Sequence, residues 1–141
     1  MLYLTTNLAA LIIYLCSGGY MLTLLLKRQP LQQQWLCALQ TTAIALHGVG
    51  LYHLIISPLG VDLTITKAFS LVMLSINIIL LISSLRRPLH NLFLLLSPLT
   101  AIAIALSYIG SQTSTTMTQM TFGIGIHVIL SLVAYSLLAI S

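Results

Sequence analysis

The chain has 141 residues, of which 59% are hydrophobic and only 4% charged, with a mean hydropathy of +1.10, where an average soluble domain is roughly a quarter charged. Polar surface is too scarce to cover a water-soluble fold, so the solvent is mostly lipid, in which backbone polar groups must be satisfied within helices or a closed barrel. The apolar runs are continuous and about twenty residues long instead of alternating in units of about ten, which excludes the barrel.

The first run is Leu2 to Leu26, closed by Lys27, Arg28 and Pro30. A cleavable signal peptide carries its positive charge ahead of the apolar run. Residues 1–10 hold no Lys or Arg, so this segment is expected to stay as a permanent helix. The second run, Trp35 to Ile56, stops at the turn signal Ser57-Pro58-Leu59-Gly60, with the only acidic residue, Asp62, just beyond. The third is Thr64 to Leu85, ended by Arg86-Arg87-Pro88, and the fourth is Leu89 to Ile109, where Pro98 is expected to kink the helix. A Ser/Thr-rich stretch, Ser111 to Thr121, leads to the last run, Phe122 to Ser141. The expectation is an all-α membrane protein, a bundle of about five transmembrane helices (2–26, 35–56, 64–85, 89–109 and 122–141) forming one domain. The last span reaches Ser141 without a basic flank, from which the chain is expected to be the N-terminal part of a longer protein.

Charge gives an orientation. Lys27 and Arg28 lie between the first two spans and Arg86 and Arg87 between the third and fourth, an even number of crossings apart. By the positive-inside rule that side is cytoplasmic and the N-terminus lies outside. Lys67, at the outer end of the third span, is expected to snorkel to the interface or pair with Asp62. The net charge of +4 is thus a topology signal, and no basic and aromatic interleaving suggests nucleic acid. The partner read most directly is the lipid bilayer.

Cys16 and Cys37 both fall within predicted spans, outside any oxidising aqueous loop, and are expected to pack as small apolar side chains. The sequence holds no CxxC, no haem-attachment motif, no phosphate-binding glycine loop and no paired carboxylates. Catalytic residues for hydrolysis or phosphoryl transfer are therefore lacking, and no bond-breaking chemistry is expected.

Histidine remains. His47, His53 and His127 lie within predicted spans, where ionisable side chains are expensive and point to function. Counted inward from Ile56 and Phe122, His53 lies about 5 Å and His127 about 8 Å below the outer ends of their spans, while His47 is about 14 Å deep and turned about 120° from His53. The matched pair could ligate one metal or haem iron from opposite sides. The competing reading is interhelical hydrogen bonding: Tyr52 flanks His53, and Ser131 lies one turn beyond His127. His47 reads as interhelical glue, His90 as an interfacial residue, and Asn77 as a packing residue that needs a polar partner. Gly18-Gly19 and Gly123-x-Gly125 suggest close helix approach.

Three blocks carry a resemblance: His47-Gly48-Val49-Gly50-Leu51-Tyr52-His53; Arg87-Pro88-Leu89-His90-Asn91-Leu92 with Ser97-Pro98-Leu99; and His127-Val128-Ile129-Leu130-Ser131-Leu132-Val133-Ala134-Tyr135-Ser136. Their order resembles the N-terminal half of the YpjD-type proteins, CcsA-like members of the cytochrome c assembly family, whose members have roughly eight spans. The resemblance implies a multi-pass protein of a bacterial inner membrane, engaged in haem handling or cytochrome c maturation with maturation proteins or an apocytochrome as partners. It implies haem as cofactor, with His127 at the motif position; His53 follows chiefly by depth, and His47 after it. The family's tryptophan-rich external segment is absent, the single Trp35 lying at the opposite end. Two alternatives stand beside it: a non-haem accessory or scaffold subunit, and a small-solute transporter with a path near Asn77, His47 and Thr41-Thr42.

Overall fold

A computed structural model describes residues 2–28, 32–57, 60–85, 91–113, 119–120 and 122–140. Five helices dominate: α1 (Leu2–Leu26), α2 (Gln33–Ile55), α3 (Ile65–Ser84), α4 (Asn91–Thr113) and α5 (Phe122–Ile140). The helices follow directly from the lipid-like composition, since a helix satisfies its own backbone hydrogen bonds. Three of them, over Leu4–Leu26, Ile65–Ser84 and Asn91–Gly110, are long and apolar enough to cross a membrane. The apolar stretch of α5, Gly123–Leu138, is shorter. The less apolar α2 includes Gln40, Thr41, Thr42, His47 and His53.

α1 packs on α2 and α4, and α3 packs on α2 and α4, closing a ring of four antiparallel helices, while α5 lies outside the ring against α3. The ring has two distinguishable ends. At the basic end α1 stops at Lys27 and Arg28, where Arg28 adopts a left-handed φ of 49° and its N–H donates to the Leu25 carbonyl. That conformation usually falls to Gly or Asn after a helix.

The other end carries a small sheet that the run lengths did not foretell. Strands β1 (Ile56–Ser57), β2 (Gly60–Asp62) and β3 (Gln119–Met120) pair antiparallel in the order β1-β2-β3, with Ile56 opposite Val61 and Val61 opposite Met120. The sheet ties the last residue of α2 to the approach of α5, two strand spacings or about 10 Å apart.

Two departures in the helices have local causes. The fourth helix was expected to end at Ile109, but α4 runs through both Pro98 and Gly110 to Thr113. Gly110 lies so close to Thr66 of α3 that a side chain there would overlap it, so the glycine serves helix contact instead of a stop. Of the glycine pairs, Gly125 is a close approach, because a Cβ there would lie 2.8 Å from the Val61 side chain, whereas Gly123 and Gly19 face open space.

Apolar residues fill the ring in layers. Met21, Leu36, Leu80 and Phe93, one from each helix, form a buried cluster near the basic end. Ala10, Tyr14, Ala43, Ala101 and Ile104 form another nearer the middle, and Leu51, Ile55, Val61 and Leu74 a third beneath the sheet.

Candidate functional site

Between those layers the ring is polar. Seven-residue steps place Asn7 and Tyr14 on one face of α1, Gln40 and His47 on one face of α2, and Ser70, Asn77 and Ser84 on one face of α3, all buried. Seven residues make nearly two turns, so each set forms a stripe, and every stripe faces inward. Lipid gives no hydrophobic drive for helix association, so hydrogen bonds and close packing must supply the specificity.

The partners are specific. Gln40 Nε2 donates to Ser17 Oγ at 3.2 Å and Ser97 Oγ at 3.0 Å, joining α2 to α1 and α4. Asn77 Nδ2 donates to Thr100 Oγ1 at 2.7 Å, joining α3 to α4. His47 Nε2 lies 2.9 Å from Ser70 Oγ, joining α2 to α3, and its ring meets Tyr14 edge-on with 6.0 Å between centroids. Each such interhelical bond contributes about 0.6 kcal/mol on average in membrane bundles.

Several buried atoms in the same region have no hydrogen-bond partner among the described residues: Tyr14 Oη, Gln40 Oε1, His47 Nδ1, Asn77 Oδ1 and, near the sheet, Asp62 Oδ1. A buried polar atom left unpaired costs about 1–3 kcal/mol.

Asp62 and Lys67 form an ion pair at the mouth of the polar region, as the sequence suggested, with the lysine side chain only 5% exposed. Thr41 and Thr42 do not join it: both are exposed and donate to the carbonyls of Cys37 and Ala38 on their own helix. Cys16 is exposed and Cys37 half-buried, so Cys16 does not pack inside the bundle as expected.

The histidines separate into two kinds. His47 is fully buried and engaged by Ser70. His53 and His127 are exposed. The His53 ring stands edge-on to Tyr52 with 5.6 Å between centroids. Ser131 Oγ donates to the backbone carbonyl of His127, not to its ring. His90 lies outside the described residues.

His53 and His127 are matched by depth counted along their helices, but the faces that carry them differ. A groove of about 190 Å³ runs between α2, α3 and α5, with Leu51, Tyr52, Ile55, Leu74 and Ile129 along it. His127 is two residues from Ile129, about 160° around α5. His53 lies about 120° around α2 from the inward-facing His47, on the side away from this groove. Each imidazole is therefore presented outward, singly. The groove is also smaller than the roughly 300–1,000 Å³ of pockets that enclose a drug-sized ligand. A depression of about 770 Å³ at the basic end has Gln32, Gln34, Trp35, Cys37 and Leu85 among the described residues along it, which offer amides and a thiol. Among the described residues no group of three or more His, Cys, Asp or Glu is placed to hold a metal ion.

Comparison with known protein families, curated proteins and solved structures found no match to this chain.

Proposed function

We propose that the chain is a five-span inner-membrane protein of the cytochrome c assembly type that handles haem at its outer face, with His127 as the first iron ligand and His53 as the second candidate. The single observation that carries this reading is the exposed imidazole of His127 near the sheet end of α5, at the head of the His127–Ser136 block that resembles the family. The basic residues at the opposite end of the ring, Lys27 and Arg28 with Arg86 and Arg87 in the sequence, support a cytoplasmic basic end and an outer sheet end.

The geometry suits transfer better than storage. His127 would hold a haem iron at the surface of α5, where a second ligand could come from another polypeptide, such as an apocytochrome or a maturation partner. Two convergent histidines inside the bundle would instead sequester the iron.

The test is spectroscopic. Detergent-purified protein titrated with haemin is expected to develop a Soret band that is lost or shifted in His127→Ala and only weakened in His53→Ala. A protein that takes up no haemin, or one whose spectrum is indifferent to His127→Ala, would contradict the reading. The rival non-haem scaffold reading draws its support from the polar interhelical bonds, which serve packing with or without a cofactor.

A further inference from the structure

The charges of the chain are unevenly placed. Its one acidic side chain, Asp62, is paired with Lys67 at the sheet end, so the four other basic residues, Lys27, Arg28, Arg86 and Arg87, have no side-chain carboxylate in the chain to neutralise them. Lys27 and Arg28 are exposed where α1 ends, and Arg86 and Arg87 follow directly on Leu85, the residue after α3. An anion for this end has to come from outside the chain.

The same end holds two adjoining depressions. The larger, of about 770 Å³, has Gln32, Gln34, Trp35, Cys37 and Leu85 among the described residues along it. The smaller, of about 310 Å³, has Tyr20, Gln32, Trp35 and Leu39, so that Gln32 and Trp35 border both. Leu39 lies about 6 Å further into the bundle than Trp35, and Tyr20 about 10 Å inward of Lys27. The smaller depression thus runs toward the hydrocarbon, while the larger, with its amides beside the charged ends of the helices, stands at headgroup level. Trp35, 66% exposed, sits between them, at the depth where aromatic side chains mark a membrane interface.

We propose that the basic end binds one anionic phospholipid, with the headgroup in the larger depression and the start of an acyl chain in the smaller. The amides of Gln32 and Gln34 can donate to phosphate oxygens, and guanidinium groups suit the same oxygens in pairs. Chain length alone keeps the Cα atoms of Arg86 and Arg87 within about 8 Å of that of Leu85, which borders the larger depression. Lys27 and Arg28 precede Gln32 by five and four residues and act on the headgroup through their field. A free phosphate would use the larger depression alone; the apolar continuation past Trp35 favours a lipid. A zwitterionic headgroup brings its own cation and leaves the surplus charge in place. The inference depends neither on haem binding nor on which compartment the basic end faces.

Trp35 is the only tryptophan, so the intact protein reports on this site by its own fluorescence. The whole chain is reconstituted in phosphatidylcholine vesicles in which part of the lipid is replaced by phosphatidylglycerol or phosphatidylcholine brominated near the head of the acyl chain, which quenches an indole that it touches. Brominated phosphatidylglycerol is expected to reach half of its full quenching at a mole fraction at least about fivefold lower than brominated phosphatidylcholine, the gain from one engaged basic side chain. Equal quenching by the two lipids overturns the proposal. Two variants separate a built site from a diffusely charged surface. Arg86→Gln with Arg87→Gln is expected to remove the preference, and so is Gln34→Phe, which fills the larger depression at unchanged charge. A preference that survives either change in folded protein overturns the proposal. Should Gln34→Phe fail to fold, alkylation of Cys37 in folded Cys16→Ala protein fills the same depression, with the same loss expected. Inorganic phosphate is the last arm: if it abolishes the preference where sodium chloride of equal ionic strength does not, the site takes free phosphate and the lipid assignment falls.

Discussion

Gln40 shows how a single polar residue is used in a lipid solvent. Its amide nitrogen bridges two other helices, yet its oxygen is buried without a partner among the described residues. The two facts pull in opposite directions: interhelical bonds contribute about 0.6 kcal/mol each, up to about 1.7, while an unpaired acceptor costs about 1–3 kcal/mol. Gln40→Met removes donor and orphan together and keeps the volume, so its stability in a denaturing-detergent titration is expected to stay within about 1 kcal/mol of the wild type. Gln40→Ala adds a cavity and is expected to lose about 2 kcal/mol or more. Equal losses in the two variants would mean that the bonds matter more than this balance allows.

The same residues show what the sequence could and could not reveal at this scale. The Asp62–Lys67 pair was legible, because the only acid lies five residues before the only lysine of the third span. The partners of His47 and Asn77 were not, because Ser70 and Thr100 read as ordinary serine and threonine in apolar runs. A signal did exist in the seven-residue spacing of polar positions, Gln40 to His47, Ser70 to Asn77 to Ser84, and Thr100 to Ser107. In a soluble helix such a stripe would face water; here lipid takes the apolar side and the polar stripe turns inward.

For the elements, α5 is the informative case. It rests outside the four-helix ring against α3 and β2, and Gly125 sets how closely it can approach Val61. Gly125→Val is expected to push α5 off the sheet at a cost of about 1–3 kcal/mol, seen as faster amide exchange along Phe122–Ile140. Gly123→Ala, which meets open space, is expected to leave that exchange unchanged. Comparable effects in the two variants would show that α5 is not held by this contact.

Helix positions were largely legible, since about twenty apolar residues bounded by basic or turn residues leave little choice, and α1 spans the run expected from Leu2 to Leu26. The sheet was not, because strands of two and three residues are too short for any alternation to register, although Ser57 to Gly60 did read as a turn. The histidine pair shows a different limit. Counting residues gives depth along a helix, and His53 and His127 were matched on depth alone. Azimuth is fixed by packing, which turned both imidazoles away from the groove between their helices.

Across the whole molecule, the two ends differ in kind. One carries Lys27 and Arg28; the other carries a sheet, the Asp62–Lys67 pair and two outward imidazoles. A haem handed to an exported partner would have to be held at the outer end. That reading therefore turns on orientation. The measurement that tests it most directly is a pair of reporter fusions, with an enzyme active only outside the cytoplasm and one active only within it, placed after Gln32 and after Gln119. The account predicts an inside signal at Gln32 and an outside signal at Gln119. Reversed signals would put His53 and His127 at the cytoplasmic face and contradict haem handling at the outer surface.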